Sequence, residues 1–576
     1  MHTTFRVLSG LLFVAPISAL AQGTWHYDPL DAGAGYVLGG TSFVQDDQGE
    51  GYLAFETSDL SMYFCHWTEE GWDTPQYIGG NAFLGGTSIA LDSNGMPHVV
   101  WIAQIETDPS MSTSFMVNYS TWNGSAWTTE ALFPVEADGK YGISLALAQD
   151  DSPRIAYYES GLPTEPRAVV FIEKNGSAWS SDTLAWSNIL LPYTDAQRCS
   201  MELDAEDTPH IAFLQADDSF GDGDLIYATR PSSTWQLTTV DSISNCGHSP
   251  SLALTAYGQP RIAYFRKYPS ENVAYYASLD GSAWTTSAFY PFGGYTSLAL
   301  NGEGQPRIAF ISSTSDDTHH VQYGVWSGSS WGFTSVDPAT EVKTSVVNLA
   351  LDEFEQSYIT YLRDDDIEIG FAWLNLPPQD FDLLAPAHGA YVTSTPTLTW
   401  EQADHRVDYD VWYAVDPDFD PHWEFTDIQG TEFQFPAGYL SPGGTYHWKV
   451  LARDHHDGYQ TWSTAPGGGG GDAYWTMNIL STGTEGQVEA ELGAPYLSVS
   501  PNPSFGEAAV SFQLPWSGPV VLTVYDISGR EVERFEEGAL PAGQHSLIME
   551  ELPSGAYHCR LEVCGYVAAQ RLVVLR

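Results

Sequence analysis

The sequence predicts an all-β protein: a seven-bladed β-propeller followed by two β-sandwich domains. Three observations predict it. A fifteen-residue unit, "SLALTAYGQPRIAYF" at 251–265, is rewritten at intervals of 46–56 residues, with copies beginning at Ser42, Ser88, Ser144, Ser200, Ser251, Ser297 and Asn348. Each copy breaks into four extended pieces bounded by turn residues, the signature of one propeller blade. Beyond residue 378 the repeat stops, and alternating strand patterns continue in two separate stretches.

Residues 1–21 read as a secretory signal peptide, with Arg6, an apolar run and a small-x-small site ending at Ala21. No later run is long and apolar enough for a membrane helix, so no membrane span is expected. Asp and Glu number 73 against 21 Lys and Arg, for a net charge of −52. A field of that sign repels phosphate backbones and anionic lipid, which argues against nucleic acid as a partner. Aromatic residues make up 14% of the chain and charged ones 16%, a globular composition rather than a disordered one.

Residues 22–378 form the predicted propeller. In each copy "SLAL" leads through an Asp/Asn/Gly turn to "PRIAYF", whose Pro opens the strand where it costs no ladder bond. A β-branched and aromatic run follows, such as "VAYYAS" at 273–278. A two-residue turn, as at Asn123-Gly124, Asn175-Gly176 and Asp280-Gly281, then leads into "SAWTT". The seventh copy stops at Trp373 without its fourth strand, and "GTWHYDPL" at 23–30 is a fourth strand with no blade before it. Joining the two closes the ring and removes its open sheet edges. One Trp then takes the same outer position in every blade: Trp25, Trp72, Trp127, Trp179, Trp235, Trp284 and Trp331. The alternation of small Ala263 with bulky Tyr264, repeated from copy to copy, reads as packing between stacked sheets.

The position after the Pro carries one polar residue per blade: Tyr52, His98, Arg154, His210, Arg261, Arg307 and Tyr358. "STWNGSAW" at 120–127 resembles the Asp-box of sialidases, although its acidic position is displaced by one and the copy before Trp235 reads "RPSSTW". That resemblance implies arginines gripping a carboxylate. The three Arg, however, adjoin the first hairpin turn of their blades, opposite the end where propeller sites gather, and a hairpin-pinning role competes.

The long insertions fall at that other end: Ala103–Met116, Phe133–Gly142, Ala185–Arg198 and Gln215–Asp224. They bring Tyr141, Trp186, Tyr193 and Phe220 together with Asp195 and Asp222, a set suited to a sugar ring or a protein anchor. Asp218, Asp222 and Asp224 are a candidate Ca²⁺ site, against which stands the missing EF-hand spacing and a solvated-loop reading. No other cofactor is implied. "DHHD" at 454–457 reads as a turn. Cys199 and Cys246 precede successive repeats and form a candidate disulfide. No nucleophile elbow, zinc, phosphate-loop or dinucleotide motif is present, and so many carboxylates single out no glycosidase pair.

Behind the propeller, Trp400 in "PTLTWEQ" and Tyr446, Trp448, Val450 and Ala452 in "GGTYHWKVLARD" resemble fibronectin type III domains over residues 379–480, which implies a spacer sandwich. A linker, 481–494, leads to residues 495–576. There Pro501, Asn502, Pro503, Asp526, Gly529, Arg530, Gly543, Gly555, Tyr557, Arg571 and Arg576 resemble the C-terminal sorting domain of type IX secretion, itself similar to the immunoglobulin-like domain of flagellar hook-capping proteins. The resemblance implies the type IX machinery as partner and a secreted or outer-membrane-surface location in a Gram-negative bacterium. The leading expectation is a binding or adhesion protein for a glycan or protein ligand. The alternatives are a glycan-cleaving enzyme, sialidase-like or a polysaccharide lyase, and a structural surface-layer component.

Overall fold

The structure, a computed structural model, describes residues 23–574 apart from 33–36, 47, 106–113, 137–141, 161–166, 188–198, 217–222, 244, 268–271, 314–317, 339, 364–367, 465–473, 481–495, 501–507, 515–517, 527–529, 541–542, 550–551, 554 and 564–565. All regular structure among the described residues is strand, and the chain divides into two units after Leu376. Among the described residues no helix is long and apolar enough to cross a membrane.

Among the described residues the first unit contains seven antiparallel sheets. Each repeat supplies the first two strands of one sheet, as in the fifth, ordered His248–Leu254, Pro260–Lys267, Asn272–Asp280, Ala283–Pro291. The seventh takes its fourth strand from the other end of the unit: Thr24–Tyr27 pairs antiparallel with Glu368–Asn375, Trp25 lying opposite Leu374. Both faces of each sheet are buried against neighbours, and Ile262, Ala263 and Tyr264 are fully inaccessible to solvent.

The repeated Ser has a defined task. Its Oγ accepts a hydrogen bond from the backbone N–H of the next sheet's first strand. Ser42 accepts from Ile89, Ser88 from Leu145, Ser144 from Met201, Ser200 from Leu252, Ser251 from Leu298 and Ser297 from Leu349, all at 2.9–3.2 Å. The seventh copy has Asn348 instead, which reaches Thr41 beside the first copy, and the two first strands pack together.

The hairpin after each first strand needs one residue in the left-handed region. Four copies use Gly49, Gly95, Gly258 and Gly304, and three use Asp151, Asp207 and Glu355 at φ of 61°, 60° and 64°. Each of those three carboxylates ties its turn to the hairpin of the sheet before it: Ser93 donates to Asp151, the Gln149 N–H to Asp207 and Asn301 to Glu355. The tie compensates a conformation that side chains other than Gly disfavour.

In the second unit, strands Leu383–Ala385, Thr397–Trp400 and Glu432–Gln434 form one sheet. A six-stranded sheet includes Val407–Ala414 and Thr445–Asp454. The two share a core of Trp400, Tyr409, Trp448, Val450 and Met477. Residues 455–457 bend away from the end of Thr445–Asp454, where Asp454 Oδ2 accepts the N–H groups of His456 and Asp457. Residues 496–574 add a three-stranded and a four-stranded sheet around Phe512, Leu522, Cys559, Leu561 and Leu572.

Candidate functional site

Of the six residues expected to form the binding cluster, Trp186 is placed in the strand Ala178–Ser187, opposite Ala168. Tyr141, Tyr193, Asp195, Phe220 and Asp222 lie outside the described residues, as does Asp218. Asp224 lies in the strand Gly223–Thr229 opposite Gln215. Among the described residues no group of three His, Cys, Asp or Glu is placed to hold a metal ion.

The expected disulfide is not formed, because Cys199 and Cys246 are free and face different interfaces. Cys199 belongs to a core shared with the third sheet and donates to Ala156 O at 3.3 Å. Cys246 belongs to the core shared with the fifth and donates to Asp241 O at 3.1 Å. The fourth sheet separates them. Burial pushes both thiols up to about 12.

In the C-terminal module, Asp526 lies opposite Tyr557, whose ring is buried and whose hydroxyl donates to Pro553 O at 2.7 Å. Gly555 opens the strand Gly555–Val563. Arg571 lies opposite His558, and both it and Arg530 are exposed. Gly543 opens the strand Gly543–Met549. Pro501, Asn502, Pro503, Gly529 and Arg576 fall outside the described residues.

The polar residue after the repeat's Pro sorts by what opens its hairpin. In four copies that position is Asp46, Asp92, Asp204 or Asp352. One oxygen, Oδ1, accepts two backbone N–H groups of the turn, as Asp92 does from Asn94 and Met96 at 2.8 Å each. The other oxygen faces the polar residue: Tyr52 at 2.9 Å, His98 at 3.6 Å, His210 at 3.2 Å and Tyr358 at 3.1 Å. In the other three copies Ala148, Thr255 or Asn301 opens the turn, and each of these copies has Arg. With no carboxylate below it, Arg reaches outward: Arg154 to Glu173, Arg307 to Glu355 and Arg261 to Asp280. Asp280 is 63% exposed, on the turn between third and fourth strands.

The recurring Trp is a wedge between sheets. It meets, edge to face, an aromatic ring on the third strand of the preceding sheet. The pairs are Phe64–Trp127, Tyr119–Trp179, Phe171–Trp235, Tyr227–Trp284, Tyr276–Trp331, Tyr323–Trp25 and Phe371–Trp72, with centroids 5.1–5.8 Å apart. What surrounds each wedge differs. Between the second and third sheets Lys174 fills the gap, its Nζ 3.0 Å from Glu130 and 4.9 Å from the Trp179 ring centre. Between the third and fourth, Arg230 lies on Phe171 and Trp235 and pairs with Glu173 at 2.6 Å.

Between the fifth and sixth sheets both devices are missing. Ser287 stands where Glu130 does, three residues after the recurring Trp. Trp326 stands where Lys174 and Arg230 do, three residues after the third-strand ring, as Trp122 also does in the second sheet. A cleft of ≈ 380 Å³ is left open. Tyr276, Trp326 and Trp331 line it, Trp326 lying 5.3 Å from Trp331. Ser278, Thr285, Ser287, Gln305 and the Arg261–Asp280 pair supply its polar edge. Burial raises the Tyr276 pKa, so its hydroxyl stays protonated. Such a lining can offer a ligand aromatic contact and hydrogen bonds from uncharged side chains beside one ion pair. Sequence reasoning assigned Arg261 and Trp331 to structure and passed over Tyr276, Asp280 and Trp326. The repeat carried no signal that singled the cleft out, because Thr238 stands where Ser287 does and Trp122 where Trp326 does.

Among solved structures, the chain is similar to the fungal lectin of Aleuria aurantia, described as a six-bladed β-propeller with a fucose recognition mode (13% identity, 55% of this chain and 96% of that one, TM-score 0.36). It is also similar to AofleA from Arthrobotrys oligospora (10% identity, 55% and 92%, TM-score 0.36) and to the polysaccharide lyase Uly1 (11% identity, 60% and 91%, TM-score 0.39). No curated protein matches. Residues 498–575 match the family described as Secretion system C-terminal sorting domain, so the last module is a sorting domain and points to a secreted or cell-surface protein handled by the type IX secretion system.

Proposed function

We propose that the chain is a secreted or surface-displayed glycan-binding protein whose sugar site is the cleft between the fifth and sixth sheets. The seven sheets are the blades of one propeller, residues 22–378, closed by Thr24–Tyr27. A fibronectin III-like sandwich, 379–480, and an immunoglobulin-like sandwich, 495–576, carry and export it across the outer membrane of a Gram-negative bacterium.

The cleft's composition supports this reading. Three aromatic side chains line it, while hydroxyl, amide and carboxylate groups at the edge can meet the hydroxyls of a pyranose. The test is a glycan and peptide array followed by titration of each hit. Trp331→Ala and Trp326→Ala should each weaken binding by about tenfold or more. Cleavage of a bound glycan, abolished by replacing one carboxylate while binding persists, would establish an enzyme instead. Binding that survives both substitutions would move the site to the cluster expected from the sequence, Trp186, Tyr193 and Phe220 with Asp195 and Asp222.

A further inference from the structure

We infer that the cleft between the fifth and sixth sheets takes an uncharged saccharide and rejects sugars bearing carboxylate or sulfate groups. The inference rests on the glycan-binding reading of the same cleft and adds the class of sugar.

An arginine in an aromatic cleft ordinarily suggests an anion, since the guanidinium fork matches a carboxylate or sulfate. Arg261 is not free for that role. Nη1 donates to Pro260 O at 3.1 Å and to Leu279 O at 3.0 Å. Nη2 donates to Gln259 Oε1 at 3.4 Å and to Asp280 Oδ1 at 3.0 Å. Four of its five N–H groups are therefore directed at the chain itself, and its charge is opposed by a carboxylate in direct contact. The side chain is only 12% exposed, whereas Asp280 is 63% exposed, so an arriving ligand meets the acid before the base. Ser278 holds the second Asp280 oxygen at 3.1 Å, fixing the carboxylate at the rim.

Arg261 is thus a positioning residue. It ties the hairpin at Gln259–Pro260 to the turn at Leu279–Asp280, and Arg261 and Asp280 themselves line the cleft. The remaining polar lining, Ser278, Thr285, Ser287 and Gln305, is uncharged. The net charge of −52 adds long-range repulsion of any polyanion.

The test titrates the whole protein with matched oligosaccharides in neutral, C6-carboxylate and sulfate-ester forms. Measurement at about 0.15 M salt limits the range of general repulsion to roughly 8 Å. Neutral forms should bind in a manner lost in Trp331→Ala and Trp326→Ala, and the anionic forms should bind at least about tenfold more weakly. Asp280→Asn keeps an oxygen for Arg261 but removes the opposing charge, so it should gain affinity for the C6-carboxylate form. A gain of binding cannot arise from misfolding. Equal binding of anionic and neutral forms by the parent, lost in Trp331→Ala, would overturn the inference and leave the glycan reading intact, and so would an Asp280→Asn variant that still rejects the carboxylate. Absence of any sugar binding sensitive to Trp331 and Trp326 would overturn both.

Discussion

Asn348 Nδ2 donates to Thr41 Oγ1 at 3.1 Å, joining residues 307 positions apart. The same nitrogen lies 3.0 Å from Thr360 Oγ1. Six of the seven repeats make this link with a Ser that accepts from the next strand. The seventh has no later repeat to meet, and its longer amide donates to Thr41 in Val37–Gln45, the strand that carries the Ser of the first copy. Asn348→Ala should lower unfolding free energy by about 1–3 kcal/mol, because it removes two side-chain bonds and leaves a buried Thr hydroxyl short of a partner. Ser88→Ala, which removes one bond, should cost about 1 kcal/mol. Deleting 23–30 should cost far more, since it exposes the edge of Glu368–Asn375 and removes the Trp25–Tyr323 contact. Urea denaturation of the three variants checks the order; a deletion variant as stable as the parent would refute closure through Thr24–Tyr27.

His248 predicts acid lability. Its ring is 2% exposed and stacks on Phe265. Nε2 bonds Asn245 at 2.6 Å, while Nδ1 is buried with no hydrogen-bond partner. Burial, with a smaller push from Lys267, lowers its pKa to about 4. The unfolded value is about 6.5, so the stabilisation is complete above that pH and is lost as pH falls toward 4. The loss is roughly 3 kcal/mol. His98 and His210, also lowered by burial, add to the same trend. The parent should weaken more than His248→Phe between pH 7 and 4.5, and parallel stability curves would contradict the assignment.

Cys199 and Cys246 should both map as free thiols in unreduced peptides. With pKa values raised to about 12, neither should react with a thiol reagent in the native protein at pH 8, and both should react in urea. A recovered Cys199–Cys246 bridge would contradict the placement of the two on opposite faces of the fourth sheet.

Strands and turns were legible in the sequence because their causes are local. Alternation at Ile262, Ala263 and Tyr264, Pro at the start of the second strand, and Gly at 281 each act within a few residues. What a side chain meets across the gap between sheets is not local. The Trp position was visible as a recurrence, but its ring partner lies on a strand about fifty residues earlier and emerges only when the sheets stack, as Tyr276 meets Trp331. The cleft was harder still to see, since its lining comes from two sheets whose residues, from Arg261 to Trp331, meet only when the sheets stack. The disulfide expectation failed for a related reason: proximity of loops in the repeat does not say which face of a sheet each Cβ takes.

The pairing of hairpin residue with polar residue predicts a double-mutant rescue. Asp92 Oδ1 holds the N–H groups of Asn94 and Met96, and its other oxygen faces His98, which also bonds the Tyr119 hydroxyl. Asp92→Thr removes the carboxylate and should cost about 1–3 kcal/mol, because a turn cap is lost and His98 is left without its acid. In the fifth sheet, Thr255 caps the same turn through Oγ1 at 3.2 Å and is matched with Arg261. Arg261 there reaches the carbonyl of Leu279 and the side chain of Asp280. Trp122 and Asn123 occupy the corresponding positions in the second sheet, and each offers an acceptor. His98→Arg alone should also destabilise, since it removes the bond to Tyr119. Combining His98→Arg with Asp92→Thr should recover at least about 0.5 kcal/mol relative to the sum of the two single losses, the lower end of coupling between contacting residues. Strict additivity in urea denaturation would mean that the Asp-with-His and Thr-with-Arg copies are independent choices, and that Arg261 was not released toward the cleft by the loss of an acid beneath it.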